Sequence, residues 1–207
     1  MKSDYIKVSA YNALYKYMQY ENVLVLRLCL ETGMRVGDAV ALKKTALKGR
    51  SIFFTSQKTG KPCKKVLSQK LVNELKRNSC GDWFFPGRCG GHRKRQTVWK
   101  DVKKAAALAK LPEHVSPHST RKTYAVKIFH EDGINAAAEA LQHDKLETTM
   151  LYVFSDLLQN TNRNAPALSQ KDENGVSESK LYNLIKKAVT EALAEFLGNS
   201  GLTFSSL

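Results

Sequence analysis

The sequence predicts a mainly α-helical domain carrying one small antiparallel β-hairpin. Two observations predict it. Apolar residues recur at helical spacing in segment after segment as far as Gln142, and only Ser51–Ser56 and Lys64–Leu67 read as short β-type runs. A third, the length of 207 residues, allows one sizeable domain or one domain plus an appendage.

Taken in order, Ser9 is placed to cap a first helix running to about Gln19, with Leu14, Tyr17 and Met18 on one face. Asn22–Glu31 is apolar nearly all round, which predicts a buried second helix, and Thr32-Gly33 breaks it. Arg35 then opens a third helix carrying Val36, Ala39, Val40 and Leu42. Its side chain projects from a helix start, where backbone N–H groups favour anions. Asp38, one turn on, is placed to hold Arg35, to serve the helix dipole, or both.

The two β-type runs flank Gln57-Lys58-Thr59-Gly60-Lys61-Pro62, with Gly60 at the turn and Lys58 on its arm. Lys61, Lys64 and Lys65 surround Lys58, so the residues alone are equally a solvated charged tip. Ser68 caps a helix to about Asn78 with Leu71, Val72 and Leu75 inward. In the loop Gly81–Gly91, Trp83, Phe84, Phe85 and Pro86 read as a packed aromatic plug. The basic run His92-Arg93-Lys94-Arg95 precedes a helix from Gln96 to Leu111, and Lys100, Lys103 and Lys104 extend a basic face suited to phosphates. Pro117 starts a helix carrying His118, Arg121, Tyr124, Ala125 and Ile128, which Gly133 ends. Ile134–Gln142 is an alanine-rich helix, and Thr148-Thr149 leads into a short segment bearing Tyr152. His114 and His130 read as surface residues.

Residues 1–160 thus read as one domain and 161–178 as a polar linker. Residues 179–198 read as an amphipathic helix, with a stripe from Leu181 through Leu184, Ile185, Ala188 and Val189 to Phe196 and Leu197, and Gly198 as its stop. Such a stripe needs a dock, on its own body or on a neighbour.

The net charge is +14. Residues 169–207 hold four lysines against five acidic residues, a net −1, so the body carries +15. A basic body points to a polyanion, most simply nucleic acid, although charge alone fits a merely soluble basic protein as well. The cysteines show no Cys-x-x-Cys spacing. Cys80 and Cys89 lie near His92 but lack the paired short spacings of a zinc knuckle, so no metal is expected, and Cys29 is expected in the core. The longest apolar run, Val23–Leu30, is interrupted by Arg27, and no signal peptide or membrane-spanning segment is seen. The expectation is an intracellular, cytoplasmic protein with reduced thiols and no membrane partner.

A His-x-x-Arg pair on a helix fits a phosphate clamp and an ordinary surface equally well. The order of the residues around it says more. Arg35 stands in Thr32-Gly33-Met34-Arg35, Lys58 in Lys58-Thr59-Gly60-Lys61, and His118 and Arg121 in His118-Ser119-Thr120-Arg121. His143 follows Gln142, and Tyr152 comes nine residues later. In this order the six resemble the active site of the tyrosine recombinases of the phage integrase family, across roughly Ser9–Gln159.

The resemblance implies the tyrosine recombinase catalytic-domain fold, double-stranded DNA as partner, a mobile element or phage as setting, and neither cofactor nor metal. It assigns catalysis to Arg35, Lys58, His118, Arg121, His143 and Tyr152. It further implies a homo-oligomer: a monomer or weak dimer alone and a tetramer on synapsed DNA, with the C-terminal helix docking in trans. The alternatives are a type IB topoisomerase-like relaxase and a non-catalytic DNA-binding module of the same fold. The flanks depart from the family at Thr120, Lys122 and Gln142. Only eight residues precede the first expected helix, leaving no room for the family's N-terminal core-binding domain, so a naturally short recombinase and a catalytic fragment are both open.

Overall fold

The computed structural model describes residues 3–79, 81–88 and 90–141. His143, Tyr152, the linker, the C-terminal helix, Cys80 and Cys89 lie outside the described residues.

Helix α2 (Tyr20–Thr32) is the axis of the fold. Leu24, Val25, Leu26, Leu28 and Cys29 are buried on nearly every side of it, as expected of a helix apolar all round. Its one interior cation, Arg27, reaches the half-buried edge and forms a two-pronged pair with Glu74, Nη2 to Oε1 being 3.1 Å. Around α2 pack α3 (Val36–Val40), α4 (Gln69–Asn78), α5 (Arg95–Leu108) and α6 (Ser119–Leu141), while α1 (Val8–Tyr15) packs on α5. Phe84 and Phe85 are buried in the same core, confirming the aromatic plug.

Strands β1 (Leu47–Lys48), β2 (Ser51–Thr55) and β3 (Pro62–Val66) form one antiparallel sheet in the order β1-β2-β3. The hairpin β2–β3 is the expected one, with Gly60 at φ 66 in its turn. Its register pairs Ile52 with Lys65 and Phe54 with Cys63. Alternation therefore puts Ile52, Phe54, Cys63 and Lys65 on one face, and Phe53 and Lys64 on the other. The two-residue β1 was not expected; it is too short for a periodic signal.

Several helix boundaries differ from the sequence reading. Helix α3 ends at Val40, short of Leu42, and α6 starts at Ser119, so His118 lies before it rather than on it. Helices α1, α2 and α5 differ as well. Helix α1 starts at Val8 and ends at Tyr15, so Ser9 lies inside it and Tyr17 is exposed. The start is set by the segment before it, where Thr123 Oγ1 donates to the Ile6 carbonyl at 2.8 Å and Asp4 and His114 bond each other's backbone. Helix α2 begins at Tyr20, two residues early, because Asp101 of α5 accepts from Gln19 N at 3.0 Å and from Asn22 Nδ2 at 2.6 Å. Helix α5 stops at Leu108, three residues short. Lys110 takes the left-handed conformation at φ 53, and Leu111 N–H returns to the Ala106 carbonyl at 2.9 Å, a Schellman close without glycine. By contrast, Ser68 caps α4 as expected, accepting from Leu71 N–H, and Gly133 breaks α6 at φ 84, ψ −178. Among the described residues no helix is long and apolar enough to cross a membrane.

Candidate active site

Gly33 closes α2 at φ 69, a conformation glycine adopts without steric cost. A side chain there would also meet the Tyr124 ring at 2.4 Å. This tight turn delivers Arg35 to the N-cap of α3, as the sequence suggested. Arg35 Nη1 donates to Ser56 Oγ at 3.3 Å, at the end of β2. Asp38 lies in the first turn of α3, as its helix-dipole reading expects. Its buried carboxylate accepts the Gln57 backbone N–H at 3.0 Å rather than pairing with Arg35.

Those two bonds tie the arm of the hairpin to α3, and the next residue on the arm is Lys58, exposed in the turn. His118 is exposed at the turn that leads into α6, and its carbonyl accepts Arg121 N–H at 3.1 Å. Arg121, one turn in, is almost fully buried at 4% exposure. Its guanidinium donates through Nη1 to the Gly33 carbonyl and through Nη2 to the Leu141 carbonyl, the latter at 3.0 Å. Two carbonyls from separate helices therefore fix the plane of the fork.

Arg35, Lys58, His118 and Arg121 line one cavity of about 380 Å³, together with Asp38 and Arg95. Four of the six residues singled out from the sequence thus meet at one place; the other two, His143 and Tyr152, fall outside the described residues. Arg95 was missed as an individual residue, although its basic run at the start of α5 was visible. Among the described residues the cavity gathers three guanidinium groups, a lysine and a histidine with one carboxylate, which is already hydrogen-bonded. Such a lining favours an anion, and planar forks suit the non-bridging oxygens of a phosphate. Among the described residues no cluster of His, Cys, Asp and Glu is arranged to hold a metal ion.

A second, narrow cleft behind Arg121 holds Met34, Arg35, Cys63, Lys65 and Leu141. There Lys65 Nζ donates to the Ala140 carbonyl at 2.6 Å and stands 5.7 Å from the centre of the Tyr124 ring. Burial, with the Arg121 charge adding to it, holds the Lys65 ammonium below the ordinary lysine value.

A helical domain whose small sheet and helix starts gather these groups around one cavity has the fold of tyrosine recombinase catalytic domains. The chain belongs to the phage integrase family, whose model matches residues 4–157. The tyrosine recombinase XerD of Mycobacterium tuberculosis is 29% identical over 148 residues, covering 64% of this chain and 47% of that protein. Among solved structures, the XerH site-specific recombinase bound to palindromic difH substrate, a post-cleavage complex, superposes with a TM-score of 0.62 at 19% identity, over 77% of this chain and 52% of that one. A lambda integrase tetramer bound to a Holliday junction gives a TM-score of 0.62 at 17% identity, over 70% and 48%. The chain spans about half the length of the curated relatives it matches.

Proposed function

We propose that this chain is the catalytic domain of a site-specific DNA recombinase that cuts and rejoins strands through a 3′-phosphotyrosyl intermediate. The observation that carries the reading is the one cavity shared by Arg35, Lys58, His118 and Arg121 in a chain of this family. A phosphodiester is an anion that repels nucleophiles, so attack requires fixed cations at its non-bridging oxygens. Arg35 and Arg121 supply two planar forks. Tyr152 attacks phosphorus; its hydroxyl proton passes to His118, and the bond from phosphorus to the 5′-oxygen breaks. Lys58 protonates the departing 5′-oxygen, and His143 donates a hydrogen bond to the phosphate. The covalent link conserves the bond energy, and the cations are side chains, so neither ATP nor a metal ion enters the scheme. Attack by a different 5′-hydroxyl reverses the step and exchanges strands.

Double-stranded DNA is the partner in this scheme. Arg95, with Lys94, extends the cationic lining to a helix N-terminus, a suitable contact for a neighbouring phosphate. Assembly as a tetramer on synapsed DNA follows the lambda integrase complex by likeness of fold. The deciding experiment uses a nicked suicide substrate carrying candidate sites. The wild-type chain is expected to form a covalent adduct, and Tyr152→Phe to bind the DNA without forming one. An adduct with Tyr152→Phe would place the nucleophile elsewhere and overturn the reading.

A further inference from the structure

Lys65 stands where a hairpin strand turns its side chains inward, paired across the sheet with the fully buried Ile52. An apolar residue is the ordinary choice at such a position. The lysine instead holds its ammonium 5.7 Å from the centre of the Tyr124 ring and donates from it to the Ala140 carbonyl. The adjacent carbonyl, Leu141, is the one that accepts from Arg121 Nη2 at 3.0 Å. Two cations from different elements therefore hold consecutive carbonyls of α6, those of Ala140 and Leu141.

The arrangement is linked at its other edge as well. Arg121 Nη1 donates to the Gly33 carbonyl, and the Tyr124 ring beneath Lys65 fills the space that only glycine leaves at Gly33. The 380 Å³ cavity is lined by Lys58, whereas Lys65 lines the narrow cleft behind Arg121. Its reach is to the scaffold of Arg121.

We propose that Lys65 is a positioning residue for Arg121: by fixing the backbone of α6 at Ala140, it fixes the Leu141 carbonyl on which the guanidinium is oriented. The inference rests on the recombinase reading, in which Arg121 neutralises the attacked phosphate. Without Lys65 the part-buried Ala140 carbonyl loses this donor, the backbone beside it shifts, and the fork loses one of its fixed acceptors, the Leu141 carbonyl. The depressed proton affinity of Lys65 agrees with a lysine held in a half-buried, cationic place by this bond rather than by solvent.

The test compares two nicked suicide substrates with the full chain. One carries a normal scissile diester; the other carries a methylphosphonate there, which has no negative charge for Arg121 to balance. Lys65→Met is expected to form the Tyr152 adduct about tenfold to a hundredfold more slowly on the diester, and near the wild-type rate on the methylphosphonate. Lys65→Gln, a milder change for a half-buried site, is expected to give the same pattern, and Lys65→Arg to stay close to wild type on both. Equal loss on both substrates with either neutral variant would mean a purely structural lysine, and an unchanged diester rate would mean an idle one; each overturns the inference. If the wild-type chain forms no adduct on either substrate, the recombinase reading falls and this inference falls with it.

Discussion

The Asp38 carboxylate accepts the backbone N–H of Gln57 at 3.0 Å, so the helix that presents Arg35 also anchors the residue before Lys58. A second tie, Arg35 to Ser56 at 3.3 Å, joins the same two elements. The relative placement of Arg35 and Lys58 is thus a property of one small network. Asp38→Ala removes the acceptor and leaves the Gln57 N–H short of a partner in a part-buried place, which costs about 1–3 kcal/mol. The expected outcome is a lower urea midpoint and slower single-turnover adduct formation, with DNA affinity little changed. Asp38→Asn keeps an acceptor oxygen and is expected to recover most of both. Equal losses in the two variants would show that the charge, not the anchoring bond, matters.

Gly33→Ala tests the turn that links both arginines. The left-handed backbone at φ 69 disfavours any side chain by roughly 1–2 kcal/mol, and the new methyl would meet the Tyr124 ring at 2.4 Å. The ring is rigid and packed beneath Lys65, so it yields poorly. Thermal melting is expected to fall by several degrees for a domain of this size. Adduct formation in the cold is expected to fall further than stability explains, because the Gly33 carbonyl orients Arg121. A variant that melts early but cleaves normally at low temperature would show that the Gly33 bond leaves the fork's orientation unaffected.

Much of this arrangement was legible in the sequence, and the exceptions share a cause. Helix α2 announced itself by being apolar all round, α4 by Ser68, and the hairpin by Gly60 between two β-type runs. The features that were not legible depend on residues distant in the chain. Asp101 caps α2 from α5, Thr123 and His114 fix the segment before α1, and Lys110 closes α5 in a conformation usually given to glycine. The first-turn place of Asp38 in α3 is local and legible, whereas its hydrogen-bond partner, Gln57 N–H, lies across a turn and a strand. Lys65 read as one of four similar lysines at a charged tip, and only strand register separates it from Lys64, which faces the other way. Of the six candidate site residues, sequence order found the four that share the cavity, while Arg95 was hidden inside a basic run.

Alkaline pH should weaken the fold through groups the core keeps protonated. Cys29 is fully buried, and loss of hydration pushes its thiol from 9.0 up to about 12. Burial likewise raises the Tyr11 hydroxyl, which bonds Thr123 in the core. For such groups the unfolded chain gives up its proton first. Their contribution is therefore complete below the unfolded value and is lost as pH climbs from about 9 towards 12. Urea midpoints measured across this range are expected to decline, and Cys29→Ala is expected to flatten the lower part of the decline while lowering the plateau at neutral pH. An unchanged slope in Cys29→Ala would assign the effect to the tyrosines alone.

The C-terminal stretch lies outside the described residues. The sequence from Leu181 to Leu197 carries one apolar stripe, and an isolated helix of that length is marginal in water without a partner. Each buried Leu or Phe contributes about 1.5–3 kcal/mol, so docking the stripe is strongly favoured somewhere. The polar stretch before it, residues 161–178, spans tens of ångströms when extended, at about 3.3 Å per residue, which is enough to reach a neighbouring protomer. We propose that the helix docks in trans and that assembly takes place on DNA, where neighbours are held within reach and the effective concentration is high. Truncation after Gln159 retains Tyr152 and all six candidate site residues. The truncated chain is expected to bind a single site with near-normal affinity, yet to give smaller DNA complexes in sedimentation and little strand exchange. Docking in cis predicts the opposite pattern: complexes of full-length stoichiometry, with the loss appearing as a lower melting temperature of the free protein.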